Sequence, residues 1–379
     1  MPSRSGGTWW GRRVRSERTE KLAASALAVV AAVGVAFLGA WWVKQDVGLV
    51  LKAFGAMFSG ALGNWSLAIS SGDLQRVLRP LGESLTRASV LCFAGLSVAA
   101  ALRVGLFNIG AHGQFVVGAF AAAAVGASAG LPDSLQLLAA LLAAALAGAA
   151  WAAIPATLKL RRGVHEVIST IMMNWIAVSL VDNWLVTGPF KATAAGDNSI
   201  SGTAQILPGA ALPHLLGDAN RLNLGFILAV FAALALSFFL SLTVRGFEWR
   251  ATGLGAEAAR ASGISVERSV WEAMLSAGAL AGLGGAVLIL GTELKYPAVL
   301  ASPYGFDGIA MALIGQGNPL GVLASSALFG AMRAGGTHMQ LFGIHKSFPE
   351  LIQGLTLLFV AARPTLKFLS RRRARAAVS

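Results

Sequence analysis

The stretch LGFILAVFAALALSFFLSLTV, Leu224 to Val244, holds no charged residue and no proline. Rising about 1.5 Å per residue, it crosses the roughly 30 Å of a bilayer's hydrocarbon as a single α-helix whose interior backbone groups bond within the segment. Leu22 to Val43 and Leu135 to Ile154 are runs of the same kind. Composition points the same way, since 56% of the 379 residues are hydrophobic and 12% charged. The mean hydropathy is +0.68, and a water-soluble domain of this make-up would lack the polar surface to cover itself. The reading is an all-α, polytopic transmembrane helical bundle.

The formal net charge of +13 could signal nucleic acid, but its placement argues otherwise. Arg4, Arg12, Arg13, Arg15, Arg18 and Lys21 precede the first apolar run, and Arg363, Lys367, Arg371, Arg372, Arg373 and Arg375 follow the last. Arg103, Lys159, Arg161, Arg162, Arg245, Arg250, Arg260 and Arg268 fall in loops of the same side. This is the positive-inside pattern. It predicts two cytoplasmic termini, an even number of spans and no nucleic-acid partner.

Under that constraint crossings fall near 22–43, 80–102, 107–128, 135–156, 166–187, 223–244, 270–291, 304–316, 319–336 and 348–363. Residues 305–314 make only about 15 Å of helix before a Gly/Pro-rich break, so this element either crosses or dips in and returns. The count is therefore eight to ten spans, with interrupted helices. Residues 1–21 read as a cytoplasmic basic segment, 22–363 as the transmembrane domain and 364–379 as a cytoplasmic basic tail. The first run is too long for a removed signal peptide and reads as a retained anchor. Val47 to Leu62 reads as an outer interfacial helix and 188–222, with Pro189, Gly196, Pro208 and Pro213, as an outer loop. Cys92 stands alone and reads as a small buried residue.

The segment Gly105 to Gln114, GLFNIGAHGQ, interrupts apolar sequence with amides and glycines. Irregular backbone at membrane depth survives where it packs on protein or lines a wet path, so this segment marks a translocation route. Asn108 and Gln114 are its candidate solute contacts. In the fifth span Glu166, Thr170 and Asn174 recur every four residues and make one polar stripe. Such a stripe serves either helix-to-helix hydrogen bonding or solute contact.

Several enzymatic readings fail. His165-Glu166 would need a histidine at 169 to make a zinc-protease pair, and that position is Ser169. Gly253 to Ala258 fits a dinucleotide glycine pattern but has no preceding strand, and no Walker A sequence is present. Metal ligands are not expected. Active transport would draw on a separate subunit or on an ion gradient.

The long inner loop 245–269 mixes charges with small residues and suits a soluble partner. Gly278 and Gly282 form a small-residue contact face. Asp307, Arg333 and Glu350 are ionisable groups near the estimated outer ends of late spans, expected to pair or to gate. Asn318 reads as a helix cap, with Pro319 at the first helical position.

These blocks together resemble the permease subunits of bacterial ATP-binding-cassette importers in the branched-chain amino acid and ribose permease superfamily, nearest the simple-sugar or nucleoside branch. The resemblance extends from about residue 48 to 362 and rests on 105–114, 165–176, 246–263, 276–285, 305–321 and 328–336. It implies a cytoplasmic ABC ATPase partner, a second permease subunit, an extracytoplasmic solute-binding protein, a small polar solute and residence in the bacterial inner membrane. It also implies that this chain binds no cofactor, ATP and Mg being held by the ATPase. The segment Gly246 to Ile264 corresponds to the family's ATPase-docking loop, which makes Gly253, Glu257, Ala258, Ala259 and Gly263 coupling candidates. His112 departs from an acidic residue more common in nucleoside-type relatives, and His165 from a common asparagine. Transport would proceed by alternating access. The other reading is an ion-coupled secondary transporter of a small polar solute.

Overall fold

The computed structural model describes residues 7–128, 130–192, 202–217, 220–300 and 303–376, with side chains described from Ser25 to Ala362 apart from Leu67. Arg4 and Gly196 lie outside the described residues, and the other flanking basic residues lie outside the described side chains. Among the described residues regular structure is helical, and β contacts are limited to the isolated bridges Lys191 to Thr203, Gly202 to Pro297 and His214 to Asn223.

The chain divides into two compact units, residues 1–56 with 338–379, and residues 57–337. In the first unit α1 (Gly7–Lys44) packs on α14 (Phe348–Ala376). Both helices run through the expected boundaries at 21/22 and 363/364 without a break. Ala28, Ala32, Ala36 and Ala40 recur every four residues and are buried, so small side chains line the inner face of α1. Leu27, Val30, Leu38 and Trp42 stay exposed on its other faces, as lipid contact requires. Phe54 joins the unit by ring contacts with Phe37 at 5.4 Å and Phe348 at 5.9 Å.

The second unit runs from the end of α2 (Val47–Leu62) through α3 (Trp65–Ser71), α4 (Gln75–Leu102), α5 (Ala111–Gly126), α6 (Asp133–Arg162), α7 (Glu166–Leu180), α8 (Leu224–Leu242), α9 (Val244–Leu254), α10 (Ala256–Ala261), α11 (Val266–Leu288), α12 (Tyr304–Ile314) and α13 (Pro319–Gly336). Among the described residues five helices are long and apolar enough to cross a bilayer: Ser25–Lys44, Gln75–Leu102, Asp133–Arg162, Leu224–Leu242 and Val266–Glu293. Val47–Leu62, Ala111–Gly126, Tyr304–Ile314 and Phe348–Ala362 are shorter apolar helices. The sequence places a full crossing at 107–128, whereas the helix there has 16 residues, and the element at 304–316, read as crossing or dipping, is a helix of 11. Their polar or glycine-rich flanks stay outside the helical ladder.

Helix α4 is the centre of this unit, buried continuously from Ala88 to Ala101. It packs against α8, α11, α12 and α13, which explains its high content of Ala, Gly and Ser: only small side chains let so many backbones approach. Helices α6 and α11 interlock through glycine. A β-carbon on Gly278 would meet the Gly148 carbonyl, and one on Gly282 the Ala144 carbonyl. The expected Gly278/Gly282 face is thus a close helix contact.

Two π-turns, Val181–Leu185 after α7 and Ile289–Glu293 after α11, end long helices. They are bridged. The Tyr296 hydroxyl donates to Asp182 Oδ1 at 2.7 Å, and both side chains are buried. Sequence reasoning missed this pair; its only signal was an aspartate inside an apolar run.

Candidate functional site

The helical ladder stops at Leu102 and resumes at Ala111. Gly105, with φ +80°, turns the chain through a left-handed conformation that a side chain would resist. The following backbone groups would be orphaned in an apolar interior without partners. Asn108 supplies them first: its Oδ1 accepts from the Gly110 N–H at 3.0 Å. The same side chain donates through Nδ2 to Gln114 Oε1 at 3.0 Å, and Gln114 Nε2 donates back at 3.3 Å. Both amides are 1% exposed, so in this conformation they face each other and not a solute.

A third amide arrives from α7. Asn174 Oδ1 accepts from the Gly113 N–H at 2.7 Å, and its Nδ2 donates to the Ile109 carbonyl at 2.9 Å. Asn174 therefore holds both sides of the Gly110 turn. Thr170, one helical turn earlier, is fully buried against Gly110 and returns its hydroxyl to the Val167 carbonyl at 3.2 Å. Glu166 opens α7 and pairs with Lys159 at 2.6 Å. The expected stripe exists, and its inner two members face the break while Glu166 ties α7 to the end of α6.

Helix α12 closes the site on another side. Gly305 lies against the His112 backbone, Tyr304 stacks on Phe115 at 5.8 Å, and the Phe306 ring is 4.9 Å from the His112 ring. His112 Nδ1 is buried with no hydrogen-bond partner among the described residues, while Phe306 is 36% exposed. Asp307 and Arg333 form an ion pair of 2.8 Å, their side chains 11% and 10% exposed. The acid occupies the first turn of α12 and the base the last turn of α13, the ends where helix dipoles favour each charge. Glu350 belongs to the other compact unit, exposed in the first turn of α14. Asn318 caps α13 by accepting from the Leu320 N–H at 3.1 Å, with Pro319 next.

The inner loop folds as α9 and α10. Thr243 caps α9 by accepting from the Gly246 N–H at 3.0 Å. Trp249, which sequence reasoning passed over, fixes this element: it is 2% exposed, its ring is 4.9 Å from Phe239, and its Nε1 donates to Glu272 at 3.4 Å. A tryptophan inside a charged loop was the available signal. Gly253 then rests against the backbone of Arg103 and Gly105. Burial, and after it the Arg250 guanidinium, pull Arg103 below the ordinary arginine value.

The five coupling candidates separate by exposure. Glu257 and Ala258 face outward, whereas Ala259 is 4% exposed and turns inward. Gly263 is exposed with φ +80°, a turn geometry that selects glycine. Leu254, ending α9, is 91% exposed. Among the described residues no cluster of His, Cys, Asp and Glu could hold a metal.

The family model described as branched-chain amino acid transport system, permease component, matches residues 81–361. The chain belongs to this permease family. It is 37% identical over 292 residues to a guanosine ABC transporter permease protein of Bacillus subtilis, covering 76% of this chain and 83% of that one. A glucose ABC transporter permease protein of Haloferax volcanii is 34% identical over 303 residues, covering 77% and 78% respectively. A nucleoside ABC transporter permease protein of Lactococcus lactis is 32% identical over 291 residues, covering 75% and 80%. No solved structure matches. This permease is a multi-pass membrane component of an ABC transporter, a transporter subunit and not an enzyme.

Proposed function

We propose that this permease is the membrane subunit of an ATP-driven importer of a nucleoside or simple sugar in the bacterial inner membrane, with both termini cytoplasmic. A cytoplasmic ATPase holding ATP and Mg, a second permease and an extracytoplasmic binding protein complete the assembly. The observation that carries the reading is the contact of Gly253 with Arg103 and Gly105, because it joins the inner loop directly to the interrupted segment. Movement of α9 and α10 by an ATPase bound to Leu254, Glu257 and Ala258 reaches the break without an intermediary. Packed backbones shift as units, so a small displacement there changes access along α5.

Asn108, Gln114, Thr170 and Asn174 act in this reading by fixing the break that positions His112, with Glu166 holding the base of α7. The Asp307 and Arg333 pair joins α12 to α13 as a gate contact. A nucleoside is favoured over a sugar by the Phe306 ring, 36% exposed beside the imidazole of His112. A π-face and a hydrogen-bonding nitrogen suit a nucleobase. The test is uptake of labelled nucleosides and hexoses into vesicles carrying this permease with its ATPase and binding protein. ATP-dependent nucleoside uptake supports the reading; uptake driven by an ion gradient without the ATPase would replace it with a secondary transporter.

A further inference from the structure

We infer that the basic end of α6, where it faces the start of α11, forms a binding site for the headgroup of an anionic phospholipid. The two helices are pressed together by glycine at Gly148, Gly278 and Gly282, and α6 continues past them to Arg162. There a cavity of about 190 Å³ opens, lined by Thr157, Leu160, Arg161 and Trp271. Its chemistry is that of a phosphodiester receptor at a membrane surface, with an arginine for the charge and an indole at the interfacial level.

The local charge balance singles out the arginine. Of the three bases in the last turn of α6, Lys159 is neutralised by Glu166 at 2.6 Å. Glu272, beside Trp271, is engaged by Arg268 at 2.7 Å. Arg161 and Arg162 form no ion pair among the described residues, and Arg161 lines the cavity while Arg162 does not. The wall continues in apolar form: Ile154 and Leu158, 42% and 38% exposed, lie one turn apart on α6, each three residues before a lining residue, Thr157 and Arg161. A lipid fits both halves, its phosphate on Arg161 and its acyl chains along that row. Basic pockets between membrane helices hold anionic lipids by this combination. A soluble acidic peptide would leave the apolar row uncovered.

The site is tested by native mass spectrometry of the full chain taken from vesicles of equimolar phosphatidylcholine and phosphatidylglycerol. Retained phosphatidylglycerol is expected to exceed retained phosphatidylcholine. Arg161→Gln is expected to weaken that preference about fivefold, the effect of one basic residue at a membrane surface, with Arg162→Gln leaving it near the parent value. Fluorescence gives an independent measurement: brominated phosphatidylglycerol quenches the parent more than Trp271→Phe, and brominated phosphatidylcholine does not distinguish them. Equal losses in the two arginine variants would reduce the effect to surface attraction and overturn the site. Retention of both lipids alike, or of neither, would overturn it as well.

Discussion

Gly253 lies with its α-carbon turned onto the Arg103 carbonyl, so closely that a β-carbon at this position would overlap the Arg103 carbonyl. It would also stand 3.1 Å from the Gly105 nitrogen. This is where the inner loop touches the interrupted segment, and both partners are backbone, which cannot step aside as a side chain can.

Gly253→Ala is therefore expected to separate α9 from the break, at an overpacking cost of about 1–3 kcal/mol. ATP-driven uptake should fall about tenfold or more, a loss equivalent to about 1.4 kcal/mol, while ATPase turnover continues. Gly255→Ala is the control, because the nearest atom to its added carbon is 3.8 Å away. If both variants transport equally well, the contact carries no coupling.

The amide clamp yields a second prediction. Asn174→Leu leaves the Gly113 N–H and the Ile109 carbonyl without partners, costing about 1–3 kcal/mol for each buried group. Asn108→Leu strands Gln114, so a further Gln114→Leu should restore part of the melting temperature, since removing both partners of a buried bond costs less than removing one. Transport should stay low in the double variant. Recovery of transport together with stability would show that the polar break has no part in solute passage.

Asp307 and Arg333 give a third. Their near-complete burial makes a single neutralisation costly, about 3–5 kcal/mol, because the remaining charge stays desolvated. Asp307→Asn and Arg333→Gln should each lower the unfolding midpoint, and the double variant should lose less than the two added together. A thermal-shift double-mutant cycle measures this. Additive losses would mean the charges act independently.

The coupling surface gives a fourth. Ala258→Trp adds bulk to an exposed face and should leave the melting temperature unchanged while preventing copurification of the ATPase. Ala259→Leu, buried at 4% exposure, should destabilise the chain by about 1–3 kcal/mol before any partner is involved. Should Ala258→Trp still assemble and transport, the partner docks elsewhere.

Much of this was legible in the chain. The apolar run at 224–244 is a helix from Leu224 to Leu242, and the expected break at 105–114 is real up to Gly110, with Ala111 to Gln114 opening α5. Such readings succeed because they depend on neighbours in sequence: hydropathy over one span, an amide that caps its own turn, a proline at a helix start. Glu166, Thr170 and Asn174 were legible as a stripe for the same reason.

What the stripe faces was beyond the sequence. Whether Asn174 meets a solute or the Gly113 N–H depends on a residue 61 positions away. The same holds for Ala259 turning inward beside the outward Ala258, and for Tyr296 reaching Asp182. Solvent preference and helical period are local properties of a chain, so sequence alone determined a membrane bundle with a polar interruption. Partnership between distant groups is decided by how helices approach one another, and only the tertiary structure settled that Gly253 meets Arg103 and that the amides clamp backbone.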